Sequence, residues 1–348
     1  MSIFNTVPVI DIRKETNDAV SIAFEVDKEK YSYLPGQYIV VKAIINNEEV
    51  RRSYSLCSAP HENDFRVVVK KVSGGKMSNH LNQNISIGDK LEIMTPSGSF
   101  VPKNLKGNFV GFAAGSGITP ILSILKSVIN AGGKFTLYYG NINPTTTIYK
   151  QEIDSLQNQN PSQLSVIYSF DEGKKLGMQD LNSGRIDADK IKQFAEHNIE
   201  LSKSDDFFIC GPEPMINSVK DSLSSLGVVK DKIHFELFSS TKKNESSSFE
   251  NTYTGKSHVT VIMDGEEISF DLDSTGESIL DASINNGVDA PFSCKGAVCC
   301  TCKAKIIEGK AIMEMNYALS DAEVAQGYIL TCQAHPSSDR LIVDFDVT

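Results

Sequence analysis

The sequence lacks several features that would place it in other functional classes. No stretch approaches the ~18 consecutive apolar residues that a membrane-spanning helix requires. Its first residues show no basic segment followed by an apolar one, so we expect a cytoplasmic protein. The six histidines form no HExxH pair or other evident ligand cluster, and no Ser/His/Asp set or carboxylate pair stands out. These absences argue against a membrane protein, a histidine-based metal site and nucleophilic or paired-carboxylate catalysis.

An excess of positive charge is also missing. The net charge of −10 lies entirely from His258 onwards, where 5 Lys/Arg stand against 15 Asp/Glu, while the preceding residues hold 29 of each sign. Binding to a nucleic-acid backbone needs a basic surface, so we expect no nucleic-acid partner. An acidic final quarter suits electrostatic steering towards a basic protein partner, with solubility alone as the alternative explanation.

The patterning divides the chain into three predicted domains and a linker. Residues 1–103 contain short β-branched runs between turns, which predicts an antiparallel β-barrel. Residues 104–238 alternate apolar strands with helical segments, which predicts an α/β domain with a parallel sheet. Residues 239–256 are polar, as in a linker. Residues 257–348 open with two alternating runs joined through Asp-Gly, which indicates a hairpin.

Five of the seven cysteines fall between residues 294 and 332, and clustering of this kind indicates a metal site more than a disulfide framework. The spacing C-x4-C-x2-C, followed 29 residues later by another cysteine, is that of a plant-type [2Fe–2S] site. Gly296 and the small Ala297 would let backbone amides approach the sulfurs. Cys300 falls outside the pattern. A structural zinc site is the alternative, although zinc favours paired C-x2-C motifs and only one is present. The predicted ligands are Cys294, Cys299, Cys302 and Cys332.

Two segments of the first domain have the residue types that hold a flavin. Arg52 offers a fork of donors to a pyrophosphate, and Tyr54 offers a ring that can stack on an isoalloxazine. Ser55 can donate near the flavin N5, where hydride arrives. Taken alone, the segment of residues 52–55 is better explained as a surface arginine beside a half-buried strand tyrosine. A Gly/Ser segment downstream opens a helix that suits a pyrophosphate. The predicted flavin residues are Arg52, Ser53, Tyr54, Ser55, Gly75, Lys76, Met77 and Ser78.

Two segments of the second domain are suited to a nicotinamide nucleotide. The first follows an apolar strand and opens a helix, so its glycines and helix N-terminus favour phosphate binding. It is not G-x-G-x-x-G, because Pro120 stands at the final glycine position. The second begins with Cys210 after another strand. The alternative for the first segment is a plain turn without a ligand, and the alternative for Cys210 is a thiol in the hydrophobic core. The candidate residues of the first segment are Gly115, Ser116, Gly117 and Thr119; those of the second, which only a family resemblance assigns to the nicotinamide, are Cys210, Gly211 and Pro212.

In this order and spacing the motifs resemble the ferredoxin–NADP reductase superfamily, and the cysteine region resembles a β-grasp ferredoxin domain. The resemblance covers almost the whole chain and implies FAD, with FMN as the alternative, and NADPH, with NADH as the alternative. It implies that Ser55 and Cys210 lie at the site of hydride transfer. It also implies that Ser169 lies near the 2′-phosphate and that Phe238 covers the flavin, although Phe238 is nearly as well explained as a core residue.

Finer features resemble the group of reductase subunits that serve ring-1,2-phenylacetyl-CoA epoxidases; they include the segments CKGAVCCTCKAKIIEG, LTCQAHP and GRIDADKI. Reductases of ketosteroid hydroxylases share the same domain order. The resemblance implies hydride transfer from NAD(P)H to FAD, then single electrons to the cluster and on to a separate di-iron oxygenase. The alternatives are a redox sensor without turnover and a flavin reductase with a zinc-stabilised module.

Overall fold

The computed structural model describes residues 3–197, 201, 204–239 and 251–347. These form two compact units, one spanning Phe4–Phe238 and the other containing residues 251–347. Most of the linker predicted at 239–256 lies outside the described residues, since 240–250 are not among them. No helix in the described part of the chain has the length and apolar character needed to cross a bilayer.

The first unit begins with six antiparallel strands in the order β4-β3-β6-β1-β2-β5. Leu56, directly after β4, bridges to Val67 of β5 and closes the sheet into a barrel. Met77 and Leu81, one turn apart on α1, are buried in the barrel core. The elements are β1 (Asn5–Thr16), β2 (Ala19–Phe24), β3 (Tyr38–Ile45), β4 (Glu48–Ser55), β5 (Arg66–Lys70), α1 (Lys76–Gln83) and β6 (Lys90–Ile93).

The rest of this unit is a five-stranded parallel sheet in the order β11-β10-β7-β8-β9. The strand order reverses at β7, and in open α/β sheets ligands bind outside the carboxyl ends of strands at such a point. Its elements are β7 (Asn108–Ala114), α2 (Ile118–Asn130), β8 (Lys134–Asn141), α3 (Lys150–Gln159), β9 (Leu164–Phe170), α4 (Ala188–His197), β10 (Asp206–Cys210), α5 (Glu213–Ser225) and β11 (Ile233–Glu236).

Helix α2 joins the barrel to the parallel sheet. Its residues are buried on nearly every face, as expected for a helix that is apolar all round. One hydrophobic core contains α2 and sheet residues together with Cys57 and Phe100 of the barrel side. The hydroxyl of Ser123 on α2 donates to the Ser58 carbonyl at 2.6 Å. The barrel and the sheet are therefore fixed to each other through a shared core.

The second unit has the predicted β-grasp form: a five-stranded sheet, order β13-β12-β18-β14-β16, with β12 and β18 parallel. The predicted hairpin turn is present, with Asp264 and Gly265 at φ of 53° and 74°, as a two-residue primed turn requires. Its elements are β12 (Lys256–Met263), β13 (Glu266–Asp273), α6 (Ile279–Asn285), β14 (Lys303–Glu308), β15 (Ala311–Met313), α7 (Asp321–Ala325), β16 (Tyr328–Leu330), β17 (Ala334–Pro336) and β18 (Arg340–Asp344).

Candidate functional site

Strand β4 presents the first predicted flavin segment. Arg52 is exposed, and its guanidinium donates to the neighbouring Arg51 carbonyl at 2.6 Å. Tyr54, two residues on and therefore on the same face of the strand, is partly buried against the barrel core. Burial raises the pKa of the Tyr54 hydroxyl, so the ring stays neutral. An exposed cation and a neutral aromatic face thus lie side by side, which fits a ligand with a phosphate and a planar ring.

The end of β4 meets the parallel sheet at Ser55. The Ser55 hydroxyl, which is buried, donates to Glu236 Oε2 at 3.2 Å. Glu236 ends β11 and is paired in register with Cys210 at the end of β10. Burial, reinforced by the charge of Glu236, raises the pKa of the Cys210 thiol, which is fully buried. The structure thus brings both predicted hydride-transfer residues to one carboxylate that sequence reasoning missed.

The second flavin segment forms the start of α1, with Gly75 at the N-cap. The Val72 amide donates to Ser78 Oγ at 3.1 Å, so this hydroxyl holds the turn. Met77 has 1% of its surface exposed and lies in the barrel core, so only its backbone can face a ligand. Lys76 is exposed and forms an ion pair with Glu48 of β4. The first turn of α1 therefore offers backbone amides and one cation to an anion.

The glycine segment after β7 forms one turn of 3-10 helix, Gly115–Gly117, and continues into α2. A Cβ on Gly117 would lie 2.0 Å from the Cys210 carbonyl oxygen, so the turn rests directly on the segment that carries Cys210, Gly211 and Pro212. The Thr119 hydroxyl, which is buried, donates to the Ser116 carbonyl at 3.0 Å. The two predicted nucleotide segments therefore meet at the point where the strand order reverses.

Two side chains beyond the motifs support this turn. The Tyr139 hydroxyl donates to the Gly115 carbonyl at 3.0 Å, which fixes the glycine turn from β8. A Cβ placed on Gly115 would lie 3.9 Å from Lys70 Nζ, which belongs to β5 of the barrel. Sequence reasoning missed Lys70, because it lies in the barrel, outside both predicted nucleotide segments; its ammonium group also pairs with Asp18 at 3.5 Å. It adds a cation beside a helix N-terminus, and both favour an anion.

The structure does not bring Ser169 to the surface of the site. Ser169 is fully buried, and its hydroxyl donates to the Gly184 carbonyl at 2.6 Å. The segment after β9 folds back and bridges to the strand, since Phe170 pairs with Ser183. In this arrangement the Ser169 hydroxyl holds that segment in place and does not face a nucleotide. Phe238, by contrast, is 43% exposed, which excludes its alternative explanation as a core residue.

In the second unit the four predicted cysteine ligands lie in two pairs. The sulfurs of Cys294 and Cys299 are 3.1 Å apart. Cys302 and Cys332 form the second pair through a hydrogen bond between their sulfurs. The bond within the first pair shifts the pKa values of its two thiols in opposite directions, lowering that of Cys299 and raising that of Cys294. A [2Fe–2S] cluster has two irons with two protein ligands each, and two thiol pairs match that requirement.

The same geometry does not match the zinc alternative. A structural zinc ion needs four ligands converging on one centre. In the described part of the chain, no three His, Cys, Asp or Glu side chains gather closely enough to hold one metal ion. Cys300 lies outside both pairs, with its sulfur 3.6 Å from the Ala318 carbonyl oxygen. The donor set therefore fits a two-iron cluster better than a mononuclear site.

The cysteine loop directs donors at the sulfurs. Lys295 and Ala297 have φ of 50° and 62°, a left-handed conformation that side-chain-bearing residues seldom adopt. This conformation turns the Gly296 amide towards Cys294 Sγ, at 3.3 Å. The Ala297 amide donates to Cys332, and Thr301 donates to Cys299. Hydrogen bonds to the sulfurs are one of the means by which proteins set the potential of such clusters.

Comparisons with known proteins agree with these sites. Three family models match: an oxidoreductase FAD-binding domain over residues 6–101, an oxidoreductase NAD-binding domain over 112–221 and a 2Fe-2S iron-sulfur cluster binding domain over 261–337. Fold and site together define an NAD(P)H-dependent flavin and iron–sulfur oxidoreductase that uses FAD and a [2Fe–2S] cluster.

Relatives that match nearly the whole chain define its family within this class of oxidoreductases. It is 36% identical, over 99% of both chains, to one of the subunits of the 1,2-phenylacetyl-CoA epoxidase of Escherichia coli K12. It is 33% identical to the ferredoxin reductase component of the 3-ketosteroid-9-alpha-monooxygenase of Rhodococcus rhodochrous, over 95% of this chain and 94% of that one. The chain belongs to the family of oxygenase reductase components within the ferredoxin–NADP reductase superfamily.

Among solved structures, phthalate dioxygenase reductase shares the fold across 98% of both chains, with a TM-score of 0.57 and 24% identity. A self-sufficient cytochrome P450 monooxygenase of type IV matches 98% of this chain with a TM-score of 0.74 and 21% identity, over 41% of its own length. These likenesses support the three-domain fold: flavin barrel, nucleotide domain and ferredoxin domain.

Proposed function

We propose that this chain is the reductase component of a cytoplasmic phenylacetyl-CoA epoxidase system and delivers electrons from NADPH to a separate di-iron oxygenase. NADH is the alternative donor. The identity to the Escherichia coli epoxidase subunit, which runs the length of both chains, carries this proposal. When bound, FAD takes two electrons as hydride and releases them singly, and the cluster carries one at a time. The residues of the chain bind, orient and insulate these groups.

The flavin residues divide into two roles. Arg52, Lys76 and the first-turn amides of α1, from Lys76 to Ser78, bind the pyrophosphate, since they combine cations with a helix N-terminus, and Gly75 forms the N-cap that lets the phosphate approach. Tyr54 lies along the flavin on β4, and Ser53 reaches it only through its backbone, since adjacent side chains of a strand face opposite sides. Phe238 covers the other face of the flavin. The exposure of Phe238 supports this role, because a half-exposed aromatic side chain is available to stack.

The nucleotide residues surround the point where the sheet order reverses. The amides of Gly115, Ser116 and Gly117 bind the nucleotide phosphates, with Lys70 as a nearby cation. Thr119 holds the turn from within, and Gly211 and Pro212 complete the opposite wall. Ser169 makes no direct contact with the nucleotide, because its hydroxyl is buried and bonded to Gly184.

Ser55, Glu236 and Cys210 form the end of the site where hydride passes. The Ser55 hydroxyl donates to Glu236, which fixes both groups at the boundary between the barrel and the sheet. Cys210 stays a neutral thiol, because burial and Glu236 both raise its pKa. A buried neutral thiol beside one oriented carboxylate suits a hydride step, because the carboxylate can stabilise the positive charge that is left on the nicotinamide ring.

Glu236→Gln should slow the reduction of the flavin by NADPH by about 10- to 100-fold, because a preorganised charge beside the place where charge develops contributes about 100-fold or more. The substitution keeps the size of the side chain and removes its charge next to Ser55 and Cys210. Anaerobic stopped-flow absorbance measures the rate, and the FAD content should equal that of the wild type.

Glu62→Gln is the matched control. Glu62 also lies at the barrel–sheet boundary, where it pairs with Lys126 of α2 at 3.2 Å, but it is outside the site. Its flavin reduction rate should stay within about twofold of the wild type, because Lys126 keeps its second partner, Glu152, at 2.6 Å and the change is remote from the hydride step. Equal slowing in both variants would mean that Glu236 acts only by holding the boundary together.

The assignment to an oxygenase system is tested by reconstitution. With the oxygenase subunits of a phenylacetyl-CoA epoxidase, the chain and NADPH should support turnover of phenylacetyl-CoA, and omission of the chain should abolish it. A 3-ketosteroid monooxygenase component serves as the competing acceptor, since its reductase is also 33% identical to this chain. Turnover of the steroid and none of phenylacetyl-CoA would replace the proposed acceptor and leave the reductase chemistry in place.

A further inference from the structure

Gln333 follows the fourth cysteine ligand, and its buried side chain reaches both parts of the cysteine site. Its amide nitrogen Nε2 donates to the Cys332 carbonyl at 2.9 Å and to the Lys295 carbonyl at 3.3 Å. The same nitrogen lies 3.7 Å from Cys332 Sγ, within range of a hydrogen bond to sulfur. One side chain thus connects the loop that carries three cysteines to the strand end that carries the fourth.

The backbone of Gln333 is fixed on both sides. Its amide donates to the Leu330 carbonyl at 2.9 Å, and its carbonyl accepts from the Glu314 amide at 2.9 Å. The side chain therefore leaves a rigid backbone and does not need to be ordered when a cluster binds. A preorganised donor of this kind is what keeps a ligand in place around a metal centre.

Burial of the Gln333 side chain also lowers the folding stability. Gln333 is 6% exposed, and its side-chain oxygen Oε1 has no hydrogen-bond partner among the residues that the structure describes. A buried polar atom without a partner is destabilising, and an apolar side chain of similar length would avoid the penalty. The neighbours Leu330 and Ala334 are apolar core residues, so packing alone does not call for an amide here.

We propose that Gln333 is a positioning residue for the [2Fe–2S] cluster, whose amide donates to the Cys332 sulfur and holds Lys295 in its left-handed conformation. This inference rests on the proposed cluster ligands. Reduction makes the cluster more negative, so a donor to a ligand sulfur stabilises the reduced state more than the oxidised state. Gln333 therefore raises the reduction potential of the cluster and eases its acceptance of electrons.

Gln333→Met keeps the length of the side chain and removes the donor. In the full chain, the equilibrium constant for one-electron reduction of the cluster should fall at least threefold, or about 28 mV at 59 mV per decade. A spectroelectrochemical titration followed by the EPR signal of the reduced cluster measures the potential. Gln326→Met, at an exposed glutamine of the same unit, is the matched control and should leave the potential unchanged.

A potential in Gln333→Met equal to that of the wild type would overturn the inference. If this variant does not retain a cluster, pulsed EPR of the wild-type protein labelled with ¹⁵N in its glutamine side chains decides instead. A ¹⁵N coupling that persists in labelled Gln326→Met supports the inference, and no coupling from any side-chain amide overturns it. A wild-type protein without iron–sulfur absorbance would contradict the cluster itself, which separates the two failures.

Discussion

Cys299→Ser is expected to lower the reduction of cytochrome c by NADPH at least about 100-fold, while reduction of ferricyanide stays within about twofold. Changes to groups that merely support a metal ligand already cost 10- to 100-fold, so loss of a ligand costs more. Cys299 shares its pair with Cys294 alone, and the serine hydroxyl is a poor substitute for a thiolate. The flavin residues lie in the other compact unit and do not depend on this loop.

Cys300→Ser is the control for the same experiment. Cys300 is adjacent to Cys299 in sequence but belongs to neither sulfur pair, and it contacts the Ala318 carbonyl instead. It should retain iron–sulfur absorbance and reduce cytochrome c at the wild-type rate. Unchanged cytochrome c reduction in Cys299→Ser, or loss of the cluster in Cys300→Ser alone, would contradict the ligand assignment.

Gly117→Ala is expected to raise the KM for NADPH about 100-fold with FAD still bound. The added methyl would lie 2.0 Å from the Cys210 carbonyl oxygen and 2.4 Å from its carbon. Both atoms belong to the backbone, so either the glycine turn or the end of β10 must move. A displacement of about 1 Å at a binding site can cost about 100-fold in rate. Steady-state kinetics with varied NADPH measures the effect.

Gly132→Ala adds the same methyl group at the other end of α2. Gly132 has φ of +85° and nothing within 4 Å of the added carbon, so the cost is the strain of a left-handed alanine, about 1–2 kcal/mol of folding stability. Its KM should equal that of the wild type. A similar rise in KM in both variants would show that any disturbance of α2 affects NADPH binding, and that the contact with Cys210 has no special role.

The sequence was sufficient for those features that are encoded locally. The barrel strands, the glycine turn and the cysteine spacing each occupy a short segment with a known physical requirement, so their positions could be predicted. The contact between Ser55 and Glu236 joins residues 181 positions apart, and Glu236 stands in a strand without a motif. The contact arises only in the tertiary structure, where the barrel packs against the parallel sheet.

The same limit explains Ser169 and the cysteine pairs. The family resemblance implies that Ser169 contacts the nucleotide, but the returning segment around Ser183 and Gly184 buries its hydroxyl. No local sequence pattern predicts that the segment after β9 folds back onto the strand. For the cysteines, spacing predicts which four act as ligands but not how they are divided. The division into 294 with 299 and 302 with 332 depends on the loop backbone, and it is this division that separates a two-iron cluster from zinc.

The core shared by the barrel and the parallel sheet determines how such reductases can be recombined. Phe100 of the barrel side packs edge-on against Phe208 of β10 at 5.5 Å, and the Cys57 sulfur lies 3.3 Å from the Tyr149 hydroxyl. A chimera joined near residue 103 would separate these partners and expose apolar surface on both halves. A junction after Phe238 would keep them together. In a chimera, the flavin and nucleotide domains must therefore be transferred together, whereas the iron–sulfur domain can be replaced separately.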